Sequence, residues 1–95
     1  MNEQRIPLPR IRGYGCFGCG TENAQGLHLT FYALGEHICS DVTLSHAHEG
    51  WQNMAHGGII STVLDEIMAW AVIAFERVFF VTGRMEVDYL RPVPV

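Results

Sequence analysis

Two adjacent carboxylates, Asp65 and Glu66, stand in the middle of a long apolar run that opens on His56-Gly57-Gly58. From Ile59 to Phe75 the run holds no Pro and no internal Gly, so it reads as one helix. Its apolar residues go nearly all the way round, which predicts a buried helix rather than a surface one. The polar exceptions are Ser61, Thr62, Asp65 and Glu66. Burying an ionised carboxylate without a partner costs several kcal/mol or shifts its pKa. One reading sends one acid to the surface and sets the other on neighbouring backbone. The other reading is a catalytic carboxylate in an apolar pocket.

The helix start bears on that choice. Glycines at His56-Gly57-Gly58 let a ligand approach unpaired N–H groups at the positive end of the helix dipole. Such an end stabilises negative charge developing on a carbonyl oxygen, which is the work of an oxyanion hole. Gly58 and Asp65 share a helix face, but lie about 10 Å apart along the axis. One reacting carbon cannot touch both. If both act in one reaction, the glycine end comes from one subunit and the acid from another, which predicts a two-fold dimer with paired sites.

The run Gly50-Trp51-Gln52-Asn53-Met54-Ala55-His56-Gly57-Gly58-Ile59-Ile60-Ser61-Thr62-Val63-Leu64-Asp65-Glu66 resembles the signature of hotdog-fold acyl-CoA thioesterases of the phenylacetate-pathway (PaaI-like) type. Two flanking pieces are similar as well. They are Cys16-Phe17-Gly18-Cys19-Gly20 with Asn23, Gly26-Leu27 and Leu29, and Val87-Asp88-Tyr89-Leu90-Arg91-Pro92-Val93-Pro94. The resemblance implies an α+β hotdog fold, an antiparallel sheet wrapped around one long central helix. It also implies a thioesterase active on acyl-CoA, assembled as a homodimer or higher homo-oligomer. Asp65, nine residues after His56, takes the position of the family's catalytic acid, with Glu66 in reserve. The backbone N–H of Gly57 or Gly58 would polarise the thioester carbonyl, and Thr82 would hold the attacking water. Arg91 is the candidate for the coenzyme A phosphates. Many relatives carry a catalytic Asn six residues before the His; Gly50 stands there in this chain, and Asn53 lies three before. His56 either shapes the turn or contacts the thioester oxygen. No cofactor is expected, coenzyme A being part of the substrate. A hotdog protein that binds acyl-CoA without hydrolysing it is the alternative.

The rest of the chain must position these groups. Ninety-five residues allow one domain at most, burying roughly two-thirds of the surface of the unfolded chain. Apolar content of 48% and charge of 17% describe a globular chain. The net charge of −4 and the absence of a basic run argue against nucleic acid as a partner. Residues 1–15 carry no apolar signal core, so a cytoplasmic protein is expected. The acids in the central run argue against a membrane span. With Pro7 and Pro9 around Leu8, residues 1–15 read as an extended arm.

Cys16-x-x-Cys19 sits among glycines, unlike a redox pair at a helix start, and zinc would need two further ligands. A tight loop with two small thiols and no metal is therefore expected there. A metal site on His46, His48 and His56 matches no ligand spacing. Leu27 to Leu34 and His37 to Leu44 alternate as two antiparallel strands around a Gly35-Glu36 turn. Ser45 to Ala55 is a loop in which Trp51 walls an acyl pocket or simply packs. Phe79 to Leu90 reads as a third strand, with Met85, Val87 and Tyr89 toward the helix. The family's later strands have no counterpart before Val95, so the domain is expected to be C-terminally incomplete or completed by another chain.

Overall fold

The computed structural model describes residues 4–95; residues 1–3 of the expected arm lie outside them. The architecture is α+β, a three-stranded antiparallel sheet and one long helix, compatible with a hotdog domain. The strands are β1 (Arg5–Pro7), β2 (Tyr32–Leu34) and β3 (His37–Cys39), in the order β1-β2-β3. A 3₁₀ turn, η1 (His46–His48), precedes helix α1 (Gly57–Glu76).

The β2–β3 hairpin turns at Gly35-Glu36, pairing Leu34 with His37 and Tyr32 with Cys39. Gly35 has φ of +60° and opens the two-residue loop, as a type II′ turn requires. Both strands are shorter than their alternation predicts. Above Tyr32 the chain bonds elsewhere: Leu29 N–H donates to Gly18 O (2.9 Å), and Leu8 N–H to Phe31 O (2.9 Å). The arm is thus partly a strand, with Ile6 set against Ala33.

The alternation still chooses the core. Leu29 and Phe31, which share one face of the alternating run, are buried together with Trp70 of α1. Phe31 and Trp70 stack with ring centroids 5.4 Å apart. Leu27, Ile38, Val63, Ile67 and Ile73 pack around this centre.

Two expectations are corrected. The helix is not buried: among its residues only Trp70 is buried, and Leu64, Met68 and Phe75 are 39%, 49% and 58% exposed. The segment carrying Leu29 and Phe31, together with β3, covers one side of it and leaves a second apolar side open. Phe79 to Leu90 forms no strand either. Met85 and Val87 keep the half-buried alternation of a strand face, but no neighbouring strand among the described residues supplies ladder partners. By length and composition α1 could cross a membrane, with a mean hydropathy of 1.7. Asp65 and Glu66 at its centre oppose that, since an Asp at mid-bilayer costs about 2.5–3.5 kcal/mol.

Candidate functional site

The helix N-terminus is built by its own cap. The side chain of His56 accepts from Gly58 N–H (Nδ1, 2.9 Å), while its carbonyl accepts from Ile59 and Ile60 N–H. A Cβ on Gly58 would lie 3.1 Å from that ring nitrogen, so glycine lets the imidazole fold back over the turn. The cap occupies the Gly58 donor. Among the described residues, no protein acceptor takes the Gly57 N–H.

The carboxyl-terminal segment comes back to this turn. Ala55 N–H donates to Val93 O (2.7 Å) and Val95 N–H to Asn53 O (3.1 Å). This pairing sets Tyr89 beside the helix start, where its hydroxyl donates to Gly57 O (3.0 Å) and is hydrogen-bonded to Ser61. The result is an open cleft of about 720 Å³ whose lining includes Trp51, His56, Gly57, Tyr89 and Arg91. Trp51, 82% exposed, forms one wall. The alternation of residues 79–90 predicts Tyr89 on a strand against the helix; its bond to the glycine turn depends on a pairing between distant loops that no local pattern announces.

Asn53 does not line this cleft. It adopts φ of +65°, a left-handed conformation that Asn tolerates, and its N–H donates to Glu49 Oε2 (2.7 Å). That bond first, and His46 second, hold the Glu49 carboxyl below its ordinary range. His48 closes the preceding turn by accepting from Ser45 N–H through Nδ1 (3.0 Å). Among the described residues, these histidines do not gather into a group able to hold a metal.

Asp65 lies two turns along the helix, outside the cleft. Its Oδ1 accepts from the Thr82 hydroxyl at 2.7 Å. The acid and the hydroxyl therefore meet, although the segment carrying Thr82 is not a strand. Glu66 turns the other way, toward the glycine-rich loop, and accepts from the Cys16 thiol (3.3 Å). Burial pushes the Cys19 thiol up to about 12; Glu66 and Cys16 add to the rise and Trp70 opposes it.

Residues 52–95 match the thioesterase superfamily. The match spans just under half of the chain. It takes in the helix, Asp65, Thr82 and the Tyr89–Arg91 side of the cleft, and leaves out the sheet and both loop cysteines. It supports a hotdog domain and thioester hydrolysis in general terms. No curated protein and no solved structure matches the chain.

Proposed function

We propose that the protein hydrolyses acyl-coenzyme A thioesters in the manner of the PaaI-like thioesterases. The observation that carries this reading is the Asp65–Thr82 hydrogen bond. It brings the Thr82 hydroxyl, from the segment after α1, onto a carboxylate of the helix whose glycine end opens into a cleft. Thr82 donates to one carboxylate oxygen, so its own oxygen can accept from a water molecule. The second carboxylate oxygen is then placed to take that water's proton, as general-base catalysis requires. Direct attack by Asp65 on the carbonyl is the other route the same geometry allows.

The oxyanion donor in this reading is the Gly57 N–H, since Gly58 is engaged by His56. Tyr89 and Ser61 brace the Gly57 peptide. His56 then acts as a cap that shapes the donor and does not touch the thioester. Asn53 holds the loop through its backbone, and Arg91 at the cleft edge meets the phosphates of coenzyme A. No cofactor enters the reaction, and neither nucleic acid nor a membrane is a partner. Gly57 and Asp65 are about 12 Å apart along the axis, so a complete site combines the glycine end of one protomer with the acid of its partner. The exposed Leu64, Met68 and Phe75 stripe offers apolar surface for that assembly.

The test is a hydrolysis screen of the full chain against acyl-CoA thioesters of differing chain length and aromatic content, following free thiol release. Turnover of at least one class, abolished by Asp65→Asn, is expected. Saturable acyl-CoA binding without turnover would assign the chain to the non-hydrolytic alternative.

A further inference from the structure

The fold brings to Cys16 and Cys19 a third ligand that sequence spacing does not announce. Glu66 Oε1 lies 3.3 Å from Cys16 Sγ, and one ligand atom from each of Cys16, Cys19 and Glu66 falls within 4.8 Å of the others. All three residues are half-buried. The glycines between the cysteines and after them shape the arrangement. A Cβ on Gly18 would stand 2.3 Å from Glu66 Cγ, so only glycine lets the loop close on the acid. A Cβ on Gly20 would meet backbone at 2.4 Å (Cys16 N) and 2.5 Å (Tyr14 O), which keeps the turn tight enough to face both thiols inward.

The charge balance points the same way. Among the described residues Glu66 has no Arg or His ion-pair partner, and a thiol is a weak donor to a carboxylate.

We propose that Cys16, Cys19 and Glu66 bind one zinc ion, which staples the glycine-rich loop to the central helix. Zinc–sulfur bonds of about 2.3 Å and zinc–oxygen bonds of about 2.0–2.2 Å put tetrahedral ligands about 3.5–3.8 Å apart. The three atoms reach that spacing by shifts of about 1 Å or less. Two thiols with a carboxylate suit zinc, whereas magnesium or calcium would select oxygen ligands alone. Binding releases two thiol protons and leaves a site of net charge −1, with the fourth position open to water. The staple also sets the rotation of the helix beside Asp65.

The test titrates the reduced full-length protein with zinc in competition with a chromophoric chelator, and with cobalt(II) as a spectroscopic stand-in. One metal per chain and a sulfur-to-cobalt charge-transfer band in the near ultraviolet are expected. Cys16→Ser and Cys19→Ser should each lose the band, and Cys39→Ser should keep it. Glu66→Gln should weaken zinc affinity by at least about tenfold, the lower range of losses for groups supporting a metal. If the serine variants fail to fold, Glu66→Gln decides alone: weakened binding supports the site and unchanged affinity overturns it. Absence of a cobalt band in the reduced wild type, or its loss in Cys39→Ser, also overturns it. None of these readouts depends on thioester hydrolysis.

Discussion

The Asp65–Thr82 pair makes a prediction that separates a catalytic contact from an ordinary surface hydrogen bond. Asp65→Asn keeps the shape and the acceptor for Thr82 but removes the base, so kcat/KM should fall by roughly a hundredfold or more, about 2.7 kcal/mol. Thr82→Val replaces the hydroxyl with a methyl group of similar size. A hydrogen bond to a charged group contributes about 1.5–3 kcal/mol. The 2.7 Å Thr82–Asp65 contact is solvent-exposed, so about 1–1.5 kcal/mol is the reasonable share, roughly a five- to twelvefold loss. If Thr82 acts only by orienting Asp65 and its water, the double variant should be no worse than Asp65→Asn. The coupling energy then equals the whole Thr82→Val effect. The assay is kcat/KM for the best acyl-CoA of the screen in all four proteins, with far-ultraviolet circular dichroism to verify folding. Losses that add within about 0.3–0.5 kcal/mol mean that the two residues act independently and that Thr82 does not orient Asp65. Asp65→Asn as active as wild type, with Glu66→Gln inactive, would identify the wrong acid.

Sedimentation equilibrium at micromolar concentration should show a dimer or larger species, because the apolar Leu64, Met68 and Phe75 side of α1 lies open in one chain; a strictly monomeric and active protein would refute the cross-subunit site. His56→Ala should lower stability in urea by about 1 kcal/mol through loss of the helix cap, with His56→Asn restoring most of it. If Asn restores stability but turnover is lost, the imidazole does more than cap. Arg77 ends the helix at φ of +55° and ψ of +39°, which strains a side chain by about 1–2 kcal/mol. Arg77→Gly should therefore raise stability by about 0.5–1 kcal/mol after the extra chain entropy of glycine, read as a higher urea midpoint at unchanged slope. An unchanged or lower midpoint would mean that the cap conformation carries no strain.

Local chemistry determined much of this protein. An uninterrupted apolar run without Pro can hardly avoid becoming a helix, and α1 begins and ends within two residues of where the run does. The Gly35-Glu36 turn and the shared face of Leu29 and Phe31 follow from period-two alternation and a glycine at the first turn position. The chemistry-bearing residues could be named from type and spacing, but their neighbours could not. Apolarity all round the helix states that something covers it, and in this chain residues 29–31 and β3 cover only the Trp70 side. Phe79 to Leu90 has the alternation of a strand, yet a strand exists only where another offers its backbone groups. Tertiary closure alone decided that Glu66 meets Cys16 and Cys19, fifty residues away in the case of Cys16. The same holds for Tyr89, which reaches the Gly57 carbonyl because residues 93–95 pair with the loop before the helix. Periodicity reads contacts a few residues apart; these contacts depend on loop closures whose ends carry no matching pattern.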